Sequence, residues 1–217
     1  MPVTASEVKA LRERTGAGMM ECKKALTETD GDLEEAIALL RKKGAASAEK
    51  KSTRIAAEGV VELALNDSAS EGVLVEVNCE TDFVAKDDSF RAFSADLAQA
   101  VLRHHPNSVN DASQLQLSTG ETVDATRQEL IAKIGENISL RRFELVQAGT
   151  GEIAGYVHGS RIGVIIRMGL SAHPELGRDI AMHVAASRPL CIDENEMPED
   201  VLQKEREIYS AQAAESG

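Results

Sequence analysis

The sequence predicts an α+β protein, with an N-terminal three-helix module followed by two similar α+β subdomains with antiparallel sheets. Apolar residues recur with a helical period over residues 1–44 and with the period of two of β-strands from residue 59 onward. A hairpin pattern followed by a helix pattern occurs twice, which indicates two subdomains of similar topology. Apolar residues make up 42% of the 217 residues, enough to build hydrophobic cores.

The N-terminal module contains three short helices. The first starts at a capping-box signature formed by Thr4 and Glu7, and a glycine-rich stretch separates it from the second. The third begins after an Asp-Gly turn and is expected to end near Gly44. Because three short helices enclose only a small core, residues 1–44 are predicted to be a docking unit and not an enzyme.

The first core subdomain is predicted to follow a short connection. Residues 45–58 are small and charged and are interpreted as a linker, part of which can be helical. Residues 59–146 begin with a hairpin whose second strand alternates apolar and polar residues from Val73 to Cys79. The helix after the hairpin has an aromatic and aliphatic face made of Phe90, Phe93, Leu97 and Val101.

The second core subdomain, residues 147–217, repeats the order of hairpin and helix. Its two strands are predicted around Ile153–Val157 and Arg161–Arg167, with a turn between them at residues 158–160. A final amphipathic helix is expected to start near Pro198, because proline is favoured at the first position of helices.

The charge of the chain disfavours two classes of partner. Asp and Glu number 36 against 24 Lys and Arg, a formal net charge of -12 that opposes direct binding to nucleic acid. No apolar run approaches the ~18 residues that cross a bilayer, and the first residues do not resemble a signal peptide. We therefore expect a cytoplasmic protein that binds neither nucleic acid nor membrane. Its three cysteines form no CxxC pair and are expected to be reduced.

The sequence contains no motif of a catalytic or metal centre. The nucleotide-binding patterns GxxxxGK[ST] and GxGxxG are absent, and the five histidines form no compact metal-ligand pattern. We therefore expect no cofactor, no metal site and no enzymatic activity. His183 is expected to pack against its neighbours, whereas His158, in the predicted hairpin turn, is either a solvated turn residue or a functional one.

The most unusual segment is Thr81-Asp82-Phe83-Val84, directly after the most apolar strand. An aromatic ring beside a carboxylate at a strand end offers two elements for recognition, since the ring can fill a pocket and the acid can bind a donor or disturb a metal shell. The alternative is that Phe83 belongs to the core and Asp82 caps the next helix. The residue pattern alone leaves both interpretations open.

Four segments of the sequence resemble the signatures of bacterial elongation factor Ts, and the resemblance extends in order along essentially the whole chain. The first contains Thr15-Gly16-Ala17-Gly18-Met19-Met20, and the second contains Asn78-Cys79-Glu80-Thr81-Asp82-Phe83-Val84. The other two are Lys133-Ile134-Gly135-Glu136-Asn137-Ile138 and His158-Gly159-Ser160-Arg161-Ile162-Gly163-Val164.

The resemblance implies a guanine-nucleotide exchange factor that binds elongation factor Tu during translation elongation. It implies that the helical module is a ubiquitin-associated-like domain that docks on the GTPase. It further implies that the segment Thr81–Val84, through Asp82 and Phe83, intrudes beside the partner's magnesium site. The other implied contacts with the partner are Met19, Met20, Ile134, Gly135 and His158.

Two points qualify the resemblance. Family members commonly continue beyond the position of Gly217 into a helical hairpin and a last segment that contacts the partner, so we expect that extension and its contact to be absent from this chain. Three other functional classes also stay open. One is an adaptor that uses the three-helix module, and another is an enzyme with a convergent site around Asp82, His158 and Arg161. The third is a chaperone-like subunit of a larger assembly, which only the acidic charge of the chain supports.

Overall fold

A computed structural model describes residues 3–169 and 175–216, and it confirms the predicted α+β class with antiparallel sheets. The described residues contain eight α-helices and five strands, and the first three helices precede the first strand. The helices are α1 (Ala5–Thr15), α2 (Met19–Glu28), α3 (Leu33–Lys51), α4 (Asp88–His104), α5 (Val109–Ser113), α6 (Val123–Ile134), α7 (Leu176–Ser187) and α8 (Glu199–Ser216). The strands are β1 (Glu58–Leu65), β2 (Glu71–Cys79), β3 (Ile138–Gln147), β4 (Glu152–His158) and β5 (Ile162–Met168).

The N-terminal module begins as the sequence predicts. The Glu7 amide donates to the Thr4 hydroxyl over 3.3 Å, and the Thr4 amide donates to the Glu7 carboxylate over 2.7 Å, so the capping box is complete. Helix α1 ends at Gly16, whose φ of 66° lies in the left-handed region that glycine adopts without strain. The small core between α1, α2 and α3 consists of Val8, Leu11, Cys22, Ala25, Leu26 and Ala36.

The predicted end of the third helix near Gly44 is wrong. Helix α3 continues through Gly44 to Lys51, so half of the predicted linker is helical and residues 52–57 connect the helix to β1. The cause is a tertiary contact, since Gly44 is buried where α3 packs against α6 and a Cβ atom there would lie 3.5 Å from that of Ala132. Glycine in a helix interior is tolerated when it permits such an approach. The division of the chain into domains stays a prediction.

The first sheet has the order β1-β2-β3, and all neighbouring strands are antiparallel. Helix α4 packs on one face and supplies the aromatic side chains of the main core. The predicted apolar face of this helix is confirmed, because Phe90, Phe93, Leu97 and Val101 are all buried. Burial of such side chains is the main stabilising contribution to the subdomain.

The second sheet is the hairpin β4-β5, which is covered by α7 on one side and by the first sheet on the other. Two glycines allow the sheets to approach closely. A Cβ atom on Gly155 would lie 2.7 Å from Leu63, and one on Gly163 would lie 2.5 Å from Val61. Strand β1 is therefore covered on both faces. Val60 and every second residue after it lie toward α4, whereas Val61 and Leu63 lie toward the hairpin.

Glu62 carries the clearest link between stability and pH in this sheet. It lies on the α4 side of β1, where burial raises the pKa of its carboxyl and the charge of Arg91 offsets part of that effect. A raised pKa in the folded state means that stability falls as pH rises from the unfolded-state value of about 4.3 through the folded-state value. The ionised group therefore destabilises the fold at neutral pH.

We expect Glu62→Gln to raise the thermal midpoint at pH 7 by about 1–2 °C, a small gain because solvent screens a half-buried charge. The gain should disappear below about pH 4, where both states bind the proton. Thermal unfolding followed by circular dichroism over this pH range tests the expectation, with Glu13→Gln, an exposed site on α1, as control. An equal gain at pH 4 and pH 7 would contradict it.

Candidate partner-binding surface

Phe83 stands at the end of β2 on a short loop that leads into a single turn of 3-10 helix, Val84–Lys86. Its side chain is 81% exposed, which excludes the interpretation that it belongs to the core. The loop itself is ordered by backbone hydrogen bonds, among them one from the Lys86 amide to the Phe83 carbonyl over 3.1 Å. A large apolar ring on a supported loop has the character of an anchor for another protein.

Asp82 lies beside the ring and is ionised. Its carboxylate accepts a 2.7 Å hydrogen bond from the Lys86 ammonium, and this bond, followed by the charge of Lys86, lowers the pKa of the acid. The alternative role for Asp82, as the cap of the next helix, is wrong. Asp87 caps α4 instead, since its carboxylate accepts from the amides of Ser89 and Phe90.

Glu136 fixes the loop that contains Phe83 by accepting hydrogen bonds from it. Its carboxylate accepts hydrogen bonds from the Glu80 amide over 3.1 Å, the Thr81 amide over 3.0 Å and the Thr81 hydroxyl over 2.6 Å. Val84 is only 8% exposed and belongs to the main core. The four-residue segment is therefore divided, with Thr81 and Val84 fixing the loop and Asp82 and Phe83 free to contact another molecule.

The end of α6 is tied to the same loop. Gly135 terminates the helix with a φ of 92° and is exposed, whereas Ile134 before it is partly buried against the main core. Asn137 then closes the connection, because its amide donates to Glu80 over 2.6 Å and its side chain donates to the Arg54 carbonyl over 2.9 Å. The Ile134–Gly135 corner is thus a neighbour of the Asp82–Phe83 loop.

Met19 and Met20 form the first turn of α2 and are 49% and 64% exposed. The loop before them approaches the last turn of α6, where a Cβ atom on Gly16 would lie 3.7 Å from the Lys133 side chain. The methionine pair is therefore connected, through α6, to the corner that supports Phe83. Exposed methionines are adaptable apolar contacts.

His158 ends β4 and is exposed, with its Nδ1 atom 2.9 Å from the Tyr156 hydroxyl. The β4-β5 turn is joined to β1 by a 2.8 Å bond from the Val61 amide to the Ser160 carbonyl and by an ion pair between Arg161 and Glu58. Because Glu58 pairs with the last residue of β2, this turn lies at the end of the sheet where the Phe83 loop begins. The charge of Arg161 also contributes to lowering the pKa of Asp82.

Comparison with known proteins identifies the family of the chain. The sequence profile of the family described as Elongation factor TS matches residues 80–217, which is well over half of the chain. The chain belongs to the elongation factor Ts family. Curated family members include proteins from Thioalkalivibrio sulfidiphilus, 57% identical over 218 residues, and Methylococcus capsulatus, 54% identical over 217 residues. Each alignment covers 100% of this chain and 74% of the relative.

Membership of the elongation factor Ts family makes the chain an exchange factor of translation elongation. No helix in the described residues is long and apolar enough to cross a membrane. Within residues 3–169 and 175–216, no group of three or more His, Cys, Asp or Glu could hold a metal ion.

The elongation factor Ts signatures also contain residues whose role sequence reasoning missed. Glu136 lies inside the third resembling segment, yet nothing in its spacing indicates that it binds a loop 55 residues earlier in the chain. Cys79 also supports the loop. It is buried beneath the loop, and its thiol donates to the Thr81 carbonyl over 3.2 Å. Burial, with the charges of Glu136 and Glu58, raises the pKa of Cys79 to about 12, so the thiol stays protonated.

We expect Glu136→Ala to destabilise the fold by about 2 kcal/mol, because two backbone amides and a hydroxyl lose a charged acceptor. Urea unfolding measures the change, with Glu205→Ala in α8 as a control, since that side chain is exposed. The loop that contains Phe83 should also open locally before the whole domain unfolds. Faster hydrogen exchange of the Glu80 and Thr81 amides would detect this opening. Unchanged protection of both amides in the variant would contradict this role.

Proposed function

We propose that the chain is a guanine-nucleotide exchange factor that binds elongation factor Tu and promotes GDP release by disturbing the magnesium site of that GTPase. The observation that carries the proposal is the pairing of an 81% exposed Phe83 with an ionised Asp82 on a loop held by Glu136. Family membership supports the choice of partner, and the geometry of the loop supports the proposed mechanism.

Pre-organisation makes Phe83 suited to insertion. The loop is fixed by hydrogen bonds from the Glu80 and Thr81 amides to Glu136 and by the burial of Val84. Little conformational entropy is therefore lost when the ring enters a pocket on the partner. A buried aromatic anchor contributes about 2 kcal/mol or more to binding.

Asp82 adds the electrostatic part of the proposed mechanism. A bound magnesium ion is often the largest local charge in a phosphate site, and it compensates the charge of the GDP diphosphate. A carboxylate delivered beside that ion competes for the donors and waters around it. When the ion is lost, the diphosphate is left uncompensated and GDP dissociates faster.

Thermodynamic linkage makes the proposed effect reversible. If the factor weakens nucleotide binding, bound nucleotide must weaken the factor by the same ratio. GTP that binds the emptied GTPase therefore releases the factor, and no covalent step is required. For this reason we propose a non-enzymatic role without a cofactor. We also propose that the chain acts in the cytoplasm and without direct contact with nucleic acid.

The remaining surface residues are proposed to orient the partner. Met19 and Met20 would form a flexible apolar contact between the helical module and the GTPase domain. Ile134, Gly135 and His158 would extend the contact on the two sides of the Phe83 loop. These contacts determine where the ring is inserted, whereas the Asp82–Phe83 pair acts on the nucleotide site.

The direct test uses elongation factor Tu loaded with fluorescent GDP. Mixing with an excess of unlabelled GDP gives the release rate, which we expect this chain to raise in a saturable manner. The acceleration should shrink as free magnesium is raised, because the ion and the factor oppose one another. Release at the intrinsic rate at all concentrations of the chain would reject the proposal, and an acceleration independent of magnesium would reject the mechanism.

A further inference from the structure

A cavity of about 460 Å³ lies between the helical module and α6, beside the surface described above. Its volume falls in the range of sites that bind small molecules. One wall is apolar, with Ile37 and Leu40 of α3 facing Ala125 and Ala132 of α6. Residues from both α2 and α3 line it, so a molecule in this cavity would contact the helical module and the core together.

The rim of the cavity is cationic although the chain as a whole is acidic. Six of its lining residues are Lys or Arg, and three are Glu. The carboxylates are largely occupied, since Arg41 binds Glu121 over 2.8 Å and Glu129 over 3.6 Å. Partial burial raises the pKa of Glu129, and the charge of Arg41 offsets part of that effect.

Three of the lining lysines have no carboxylate partner. Among the ion pairs of residues 3–169 and 175–216, none includes Lys24, Lys51 or Lys133. Lys51 donates only to the Ile131 carbonyl, over 3.3 Å, and Lys133 only to the Ser89 hydroxyl, over 3.5 Å. These long contacts leave most of the donor capacity of both ammonium groups free.

We propose that this cavity binds a phosphorylated small molecule of nucleotide size, with its phosphates on Lys24, Lys51 and Lys133 and its apolar body against Ile37 and Leu40. Lysine is a point charge with three donors and binds phosphate oxygens readily. The three lysines come from α2, the end of α3 and the end of α6. A bound anion would therefore contact three elements at once and fasten the helical module to the core.

The test is isothermal titration of the full chain with ADP, inorganic pyrophosphate and adenosine, without magnesium and at low ionic strength. ADP and pyrophosphate should bind saturably at one site, and adenosine should bind at least about tenfold more weakly, because it lacks the phosphates. ADP should also raise the thermal midpoint, since it binds only the folded chain. Absence of saturable binding, or equal binding of adenosine and ADP, would overturn the proposal.

Matched variants separate a built site from general charge attraction. The triple variant Lys24→Gln, Lys51→Gln, Lys133→Gln should bind ADP about tenfold more weakly or worse. The control Lys9→Gln, Lys42→Gln, Lys204→Gln changes net charge equally at positions that do not line the cavity. Equal losses in both variants would reject the site. If the triple variant does not fold, the single variant Lys24→Gln is the test, because the Lys24 side chain forms no hydrogen bond or ion pair with another element of the described structure. Unchanged ADP affinity in Lys24→Gln would also reject the site.

Discussion

Replacing Phe83 with alanine should weaken binding to elongation factor Tu by about 2 kcal/mol, roughly a 30-fold rise in Kd. Acceleration of GDP release at a fixed, subsaturating concentration of the chain should fall at least as far. The reason is that the ring is 81% exposed in the free chain and would become buried against the partner in the proposed complex. Titration of the GTPase and the fluorescent-GDP release assay measure the two effects.

The stability of the Phe83→Ala variant is the internal control for this prediction. Removing an exposed side chain should change the free energy of unfolding by less than about 0.5 kcal/mol. Tyr209→Ala supplies a second control, since that aromatic residue in α8 is also exposed, at 67%. Unchanged GDP release with Phe83→Ala, or an equal loss with Tyr209→Ala, would remove Phe83 from the mechanism.

Gly59→Ala should destabilise the fold by about 3 kcal/mol or more. Gly59 has a φ of 150° and faces Asn78 across the β1-β2 pair. An added Cβ atom would lie 2.1 Å from the Val77 carbonyl oxygen and 2.8 Å from the Asn78 Cα atom. Both are backbone atoms of a central strand, so the strands themselves must separate to make room.

Thermal unfolding should show the loss as a fall in midpoint of about 6–12 °C for a chain of this size. Gly44→Ala is the matched control, because it adds the same methyl group inside α3, 3.5 Å from Ala132, an ordinary contact distance. Alanine there should raise stability by about 0.5–1 kcal/mol through its better helix propensity. A Gly59→Ala protein as stable as the parent would show that β1 and β2 adjust without cost.

Local patterns were sufficient for most of the elements. The capping box at Thr4, the alternation from Val73 to Cys79 and the apolar face around Phe90 all describe neighbours within one helix or one strand. Periodicity reports these well because it depends on contacts between residues a few positions apart. The local pattern does not predict the end of α3, because Gly44 interrupts that pattern. The residue that Gly44 contacts, Ala132, is far from it in the sequence.

The candidate surface was predictable only in part. Its residue types were visible, and the resemblance of four segments to one family indicated the same positions. The pattern at residues 81–84 could not decide whether the ring of Phe83 is buried or exposed, because both interpretations fit a strand end. The structure decides it through Glu136 and Val84, which hold the loop in place while the ring points into solvent.

The sequence by itself determined the fold class, the order of helices and hairpins, and the family, because each depends on neighbouring residues or on ordered motifs. Only the tertiary structure decided which side chains are free to act. The Glu136 bonds to Thr81, the covering of β1 on both faces and the cavity between the helical module and α6 all depend on distant segments. The physical reason is that burial and hydrogen-bond partners are properties of the packed chain, which no local period records.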